Sequence, residues 1–91
     1  MNNRQLQIRY HGDVQGVGFR YTVCRIVDGL GGITGGVQNC PDGSVHLVAE
    51  APEFQLKQLR LQIQTSRLGP YITDEQVSWG EADGLSGFYY R

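Results

Sequence analysis

One stretch of the sequence shows how the fold begins: LQIRYHGDVQGVGFR, residues 6–20. Apolar and polar residues alternate from Leu6 to His11, and this alternation predicts a half-buried β-strand. The next segment holds three glycines within seven positions, which predicts a loop. From Arg20 onward, apolar residues recur at the spacing of an α-helix, and glycines at positions 29, 31 and 32 end it. The stretch therefore predicts a strand, a glycine loop and a helix in direct succession.

The rest of the chain predicts a hairpin, a second helix and two further strands. The further predicted elements are a strand at Ile33–Asn39, a turn at 40–43, a strand at Ser44–Glu50, a helix from Ala51-Pro52 to Gly69-Pro70, a strand around Val77 and Trp79, and a short terminal strand at Phe88–Tyr90. This order is βαββαβ plus a short strand. It predicts an α+β fold, a ferredoxin-like α/β sandwich with two helices on one face of an antiparallel sheet of four to five strands. A length of 91 residues predicts one domain, residues 1–91.

Composition and charge exclude several classes of function. A net charge of −1 and a pI near 6.0, without a basic run, argue against nucleic-acid binding. The sequence has no apolar stretch long enough to span a membrane and no secretory signal, so we expect a cytoplasmic protein without a membrane partner. Cys24 and Cys40 lack the spacing of a metal or redox motif, and we expect two reduced thiols, although a disulfide between them stays open.

The glycine loop at residues 15–20 has the features of an anion site. Glycines allow successive backbone N–H groups to point into one concavity, and the start of a helix adds free N–H groups and a positive dipole end. Arg20 adds a planar fork of donors that matches a phosphate or a carboxylate. The glycine spacing alone leaves a plain tight turn with a solvated arginine equally possible. It fits neither of the common nucleotide-binding glycine motifs.

A longer comparison of motifs favours one family. The string Val14-Gln15-Gly16-Val17-Gly18-Phe19-Arg20 resembles the signature of the acylphosphatases, and Gly36-Val37-Gln38-Asn39 with the following Asp42-Gly43-Ser44-Val45 resembles their second, looser signature. The spacing between the two motifs, the chain length, the Gly69-Pro70 pair and the Phe88-x-Tyr90 ending also fit. The resemblance covers essentially the whole chain.

The resemblance implies hydrolysis of the carboxyl–phosphate bond of small-molecule acyl phosphates without a metal or a cofactor. Nothing in the sequence demands more than a monomer, and we expect a monomer. It implies that Arg20 binds the phosphate through its guanidinium and that Asn39 orients the attacking water. It further implies that the phosphoryl oxygens are held by the backbone N–H groups of Gln15, Gly16, Val17, Gly18 and Phe19. The chemistry is consistent, because an acyl phosphate has a good leaving group and catalysis of phosphoryl transfer is mostly positioning and charge stabilisation.

Two departures from the family pattern motivate an alternative function. Position 36 is glycine where the family usually has an aromatic residue, and this loss of packing is expected to loosen the strand that carries Asn39. Asp13 places a carboxylate near the expected anion site. The alternative is a regulatory module of the same fold that binds phosphate or an acyl phosphate and turns it over slowly. The sequence does not identify the physiological acyl phosphate.

Overall fold

The computed structural model describes residues 2–91 and consists of one sheet and two helices. Its elements are β1 (Asn3–Gly12), α1 (Phe19–Leu30), β2 (Thr34–Asn39), β3 (Val45–Pro52), α2 (Glu53–Thr65), a 3₁₀ turn (Gly69–Tyr71), β4 (Ile72–Glu81) and β5 (Phe88–Tyr90). The five strands lie in the order β4-β1-β3-β2-β5. The predicted α+β, ferredoxin-like arrangement of two helices packed on a sheet is confirmed.

The prediction of an antiparallel sheet is wrong at one edge. The first four strands pair antiparallel, whereas β5 pairs parallel with β2, so the sheet is mixed. The reason is the connection before β5. Residues 82–87 carry the chain from β4, at one edge of the sheet, past the ends of β1 and β3 to the opposite edge. The last strand therefore enters beside β2 in the same direction as β2.

Several element boundaries also differ from the prediction. The second helix ends at Thr65, and the Gly69-Pro70 pair belongs to the 3₁₀ turn that follows it. The second helix begins at Glu53 because Ala51 and Pro52 still pair with β1 as the end of β3. Strand β4 is ten residues long, since it pairs with β1 along almost its whole length. Between Ile72 at its start and Val77 its residues are polar, and the prediction therefore rested on Val77 and Trp79 alone.

The core lies between the sheet and the two helices. The alternation in β1 and β3 turns one face of each strand inward, and the helices present apolar residues at spacings of three and four. Apolar side chains that are less than one-tenth exposed include Leu6, Ile8, Tyr10, Phe19, Val23, Val27, Val37, Val45, Leu47, Leu56, Leu59 and Ile63. They belong to one cluster that contains residues of β1, α1, β2, β3 and α2. This core fixes the start of α1 against the ends of β1 and β2, where the candidate site lies.

A buried carboxylate holds the segment that leads into β5. Glu50, near the end of β3, is only 1% exposed. Its carboxylate accepts hydrogen bonds from the backbone N–H groups of Asp83 (2.6 Å), Gly84 (3.0 Å) and Leu85 (2.9 Å) and from Nε2 of Gln5 (2.8 Å). Burial raises the pKa of Glu50, but these hydrogen bonds outweigh burial and leave the pKa below its usual range. The carboxylate thus stays ionised and fixes residues 83–85 beneath the sheet.

Candidate active site

The first half of the loop between β1 and α1 is tied to its surroundings by two residues. The backbone N–H of Asp13 donates to the carbonyl oxygen of Tyr71 at 3.0 Å. The side-chain amide of Gln15 donates to the carbonyl oxygens of Cys40 (2.8 Å) and Ser44 (2.9 Å) in the turn between β2 and β3. These bonds fix the loop relative to the turn that follows Asn39.

The loop reaches α1 through two glycines with left-handed backbone. Gly16 has φ +78° and Gly18, the N-cap of α1, has φ +74°. Such angles strain any residue with a Cβ atom, which explains the glycines. Within residues 2–91, the backbone N–H groups of residues 15–20 donate to no protein oxygen. The positive end of the helix dipole lies at the same place, so the loop offers a row of donors to an external anion.

Arg67 engages the carbonyl oxygens of this loop. Its Nη2 donates to the carbonyl oxygen of Val17 at 2.9 Å and to the hydroxyl oxygen of Thr22 at 3.0 Å, and it lies 3.4 Å from the carbonyl oxygen of Gly18. Arg67 does not line the cavity beside the loop. The carbonyl oxygens, which would repel an anion, are therefore engaged by a cation outside that cavity.

The cavity beside the loop has a volume of about 250 Å³. Its lining residues are Val14, Gly16, Gly18, Phe19, Arg20, Asn39 and Tyr90. The structure thus brings together five of the residues that the sequence placed at the site, one of which is Asn39 from a different strand. Gln15 and Val17 lie in the same loop but do not line the cavity. Gln15 uses its side chain to anchor the loop, and Val17 packs against the core.

Arg20 projects from the first turn of α1. The carbon at the centre of its guanidinium lies 4.7 Å from the centroid of the Tyr90 ring, a cation–π contact. To residues 2–91, Arg20 makes neither a salt bridge nor a side-chain hydrogen bond. All five N–H donors of the guanidinium are thus available to a ligand.

Asn39 is the last residue of β2 and is half-buried. It pairs with Val45 of β3, and its backbone N–H donates to the carbonyl oxygen of Arg91 at 3.1 Å. Its side-chain amide has no hydrogen-bond partner in the part of the chain that the structure describes. An amide of this kind can both donate to and accept from a bound water.

The turn after Asn39 is held by its own hydrogen bonds. The carboxylate of Asp42 accepts from the hydroxyl of Ser44 at 2.6 Å and from its backbone N–H at 3.0 Å. These two bonds from Ser44 lower the pKa of Asp42. The turn is therefore ordered by an ionised carboxylate at neutral pH.

A neighbouring side chain fills the space left by the missing side chain at Gly36. Gly36 is buried and pairs with Tyr89 of β5. A Cβ atom at position 36 would lie 2.2 Å from three atoms of the Tyr89 ring. An aromatic ring from β5 therefore covers the glycine, as aromatic residues do beside glycines in other sheets. The expectation of a loosened strand is corrected by this packing.

Several other residues singled out in the sequence lie away from the cavity. Asp13 is exposed and does not line it. His11 and His46 contact Gln76 and Gln7 at 3.1 Å and 3.2 Å on the sheet. Cys24 and Cys40 are both free thiols.

The described residues also contain neither a cluster of metal-ligating side chains nor a membrane-spanning helix. Among residues 2–91, no three His, Cys, Asp or Glu side chains are grouped closely enough to hold a metal ion. No helix in this part of the chain has the length and apolarity needed to cross a bilayer.

Val14 and Tyr90 are the two cavity residues that the sequence did not place at the site, and Tyr90 is the one that lies far from the loop along the chain. The sequence placed it in a short terminal strand but gave no partner for that strand. Alternation puts Phe88 and Tyr90 on the same face of β5, and Phe88 packs against the core. Only the parallel pairing with β2 brings Tyr90 beside Arg20.

Comparisons with known proteins agree with this geometry. The acylphosphatase family model matches residues 6–89. An acylphosphatase of Thermococcus kodakarensis is 37% identical to this chain, over 97% of this chain and 96% of its own length. The crystal structure of an acylphosphatase from Bacillus subtilis has a TM-score of 0.83 at 34% identity and covers 93% of this chain and 94% of that chain.

The same fold also occurs within a longer protein. The crystal structure of full-length HypF, in a phosphate- and nucleotide-bound form, has a TM-score of 0.86 at 26% identity. The match covers 98% of this chain but only 12% of that chain. Since the family model spans most of the sequence and a relative at 37% identity matches it along nearly its whole length, this chain belongs to the acylphosphatase family.

Proposed function

We propose that this chain hydrolyses the carboxyl–phosphate bond of acyl phosphates and releases a carboxylate and inorganic phosphate. One observation carries the proposal. A loop whose N–H groups have no acceptor within residues 2–91, an arginine with free donors and an asparagine with a free amide meet at one cavity of about 250 Å³. This is the arrangement that an in-line attack of water on a bound phosphoryl group requires.

The loop and Arg20 hold the phosphoryl group. Its three equatorial oxygens carry most of the charge in the transition state, and donors that are already oriented stabilise that charge without rearrangement. The backbone N–H groups of residues 15–19 surround the oxygens, and the guanidinium of Arg20 supplies two parallel hydrogen bonds and a full positive charge. Arg67 keeps the loop in this conformation by engaging its carbonyl oxygens.

Asn39 orients the nucleophile. Its amide oxygen accepts a hydrogen bond from a water molecule and directs the lone pair of that water at phosphorus. The water oxygen forms the new P–O bond as the bond to the carboxyl oxygen breaks. A phosphoryl oxygen of the substrate takes the proton. The leaving carboxylate is a weak base and needs no acid catalyst, which fits the lack of an acidic side chain among the residues that line the cavity.

The alternative of a slow regulatory module is not favoured. Two residues suggested it, Gly36 and Asp13. However, Tyr89 fills the space at Gly36, and Asp13 does not line the cavity. A single domain over residues 1–91, a monomeric state and a cytoplasmic location stay predictions. Light scattering after size-exclusion chromatography tests the second of these.

Hydrolysis of acetyl phosphate and benzoyl phosphate in buffer with a chelator tests the proposal. Arg20→Ala is expected to lower kcat/KM by about 10³-fold or more and to weaken binding of inorganic phosphate. Asn39→Ala is expected to lower kcat by about 10²-fold with little change in phosphate affinity. Arg25→Ala, on the same helix, and Gln38→Ala, the residue before Asn39, are matched controls that should keep wild-type rates.

The results separate the two candidate functions. Metal-free turnover that is lost in Arg20→Ala and Asn39→Ala supports hydrolysis with the assigned roles. Phosphate binding by the wild type together with a rate no better than buffer would instead favour the regulatory module. Full activity of Arg20→Ala would exclude the assigned mechanism.

A further inference from the structure

The Arg20–Tyr90 contact has a geometry that suits ligand binding. The guanidinium carbon of Arg20 lies 4.7 Å from the centroid of the Tyr90 ring. A cation–π contact acts through the charge of the guanidinium and not through a hydrogen bond to an oxygen acceptor, and Arg20 donates no hydrogen bond to the Tyr90 hydroxyl within residues 2–91. The Tyr90 side chain therefore restricts Arg20 without competing with a phosphate for its N–H groups.

Without this ring, Arg20 would have little to restrain it. An arginine side chain has many rotamers and loses this freedom when it is fixed in one conformation. Within residues 2–91, no carboxylate and no carbonyl oxygen accepts a hydrogen bond from Arg20. A carboxylate partner would fix the guanidinium but would also neutralise its charge and occupy its donors. An aromatic ring fixes it and leaves the charge in place.

The backbone of β5 holds Tyr90 firmly. Tyr90 pairs with Val37 of β2, a fully buried residue. The backbone N–H of Arg91 donates to the carbonyl oxygen of Val37 at 2.9 Å, and the Arg91 carbonyl oxygen accepts from the N–H of Asn39 at 3.1 Å. The strand that positions the ring is thus bonded directly to the strand that carries Asn39.

We propose that Tyr90 is a positioning residue that preorients the Arg20 guanidinium for the phosphate. The inference rests on the proposed function, since it concerns the same cavity. Because orientation is established before the ligand arrives, less freedom is lost on binding and affinity rises. The aromatic face, and not the hydroxyl, carries the role. No hydrogen bond of the Tyr90 hydroxyl occurs within residues 2–91.

Calorimetric titration with inorganic phosphate tests the role without depending on turnover. Tyr90→Leu is expected to weaken phosphate binding by about three- to thirtyfold, the range of a partly desolvated cation–π contact. Tyr90→Phe keeps the ring and should bind like wild type. Tyr21→Leu is the matched control, because it removes an exposed aromatic ring that contacts Arg25 at 5.9 Å and does not line the cavity.

A double-mutant cycle separates positioning from general stability. If Tyr90 acts through Arg20, adding Tyr90→Leu to Arg20→Ala lowers kcat/KM for acetyl phosphate no further. Equal losses in the presence and absence of Arg20 would overturn the proposal. It would also be overturned if Tyr90→Leu slowed only benzoyl phosphate and left phosphate affinity unchanged, because the ring would then contact the acyl group. A wild type that neither binds phosphate nor turns over either substrate would instead refute the proposed function.

Discussion

Two segments of this protein carry backbone N–H groups that bond to no backbone oxygen, and they differ in whether residues 2–91 supply an anion that accepts from them. Residues 83–85 donate three successive N–H groups to the carboxylate of Glu50, which is only 1% exposed. Residues 15–20 have N–H groups without an acceptor in the described chain and lie beside a cavity of about 250 Å³. A glycine with nearly the same φ lies in each segment, Gly84 at +82° and Gly16 at +78°.

The difference shows how one backbone device serves stability in one place and binding in another. In the 83–85 segment the anion is part of the chain, so its hydrogen bonds form on folding and contribute to the stability of the native state. In the 15–20 loop the same donors stay available because no carboxylate of residues 2–91 reaches them. That loop relies for its shape on neighbouring groups, namely the side chains of Gln15 and Arg67.

The largest expected effect comes from removing the internal anion. Glu50→Ala leaves three partly buried backbone N–H groups without their acceptor and removes one of the two acceptors of the Gln5 amide, and it should lower the free energy of unfolding by about 4 kcal/mol. Glu50→Gln keeps the shape and one oxygen and should cost about 2 kcal/mol. Urea denaturation at pH 7 measures both. A loss below about 0.5 kcal/mol in Glu50→Gln would show that the charge is unimportant for the segment.

The next largest effect comes from introducing the same backbone strain into each segment and comparing the activity of the two variants. Gly16→Ala and Gly84→Ala place a Cβ atom at almost equal positive φ, and neither Cβ would meet another atom within 4 Å. Each should cost about 1–2 kcal/mol of stability. Only Gly16→Ala should also lower kcat/KM, by roughly tenfold to a hundredfold, because the donors around the phosphate shift.

Urea denaturation and assays of acetyl phosphate hydrolysis on both variants make this comparison. Equal activity in Gly16→Ala and Gly84→Ala would remove the distinction between the two segments. A fall in activity in Gly84→Ala alone would show that residues 15–20 are not the functional anion site.

Much of this arrangement could be predicted from local sequence. The alternation in β1, the glycines at 16 and 18 and the position of Arg20 on the first turn of α1 are local features, and each follows from the geometry of a strand, a turn or a helix. The convergence of Asn39 on the same cavity was reached only through the resemblance to a family. Local pattern alone does not say which strands are neighbours.

The role of Glu50 could not be predicted because it depends on a long-range crossing. Strand alternation places Glu50 opposite Val45, Leu47 and Ala49, on the face that is usually solvated. The segment 82–87 crosses beneath the sheet and buries it. The same crossing determines the parallel pairing of β5 and hence the position of Tyr90. This one connection thus explains why the sheet is mixed and not antiparallel, why the burial of Glu50 was not predicted, and why Tyr90 was missed.

A smaller effect appears as the pH is lowered. Hydrogen bonds hold the pKa of Glu50 below its ordinary value of 4.5, so the native state binds this proton less readily than the unfolded chain. The stability that Glu50 contributes is therefore complete above pH 4.5 and is lost as the pH falls through the lower pKa of the folded state. The difference in free energy of unfolding between wild type and Glu50→Gln should shrink from pH 6 to pH 3. Urea titrations across that range measure it, and a constant difference would show that Glu50 is not ionised in the native state.

The smallest expected effect concerns a buried polar group that neither segment uses. The hydroxyl of Tyr10 is buried and has no hydrogen-bond partner within residues 2–91, while its ring packs 5.0 Å from the ring of Phe19 at the start of α1. Burial raises the pKa of Tyr10 above its usual range, so the hydroxyl is protonated at neutral pH. Tyr10→Phe keeps the ring contact and removes a polar group that lost its water on folding.

The variant should therefore be as stable as wild type or more stable by up to about 1 kcal/mol, with unchanged hydrolysis of acetyl phosphate. Urea denaturation and the hydrolysis assay are the measurements. A loss of stability would mean that the hydroxyl has an acceptor after all. A loss of activity at unchanged stability would mean that the loop at residues 15–20 depends on a polar group beneath it. The loop would then differ from residues 83–85 in more than the lack of an acceptor within the described chain.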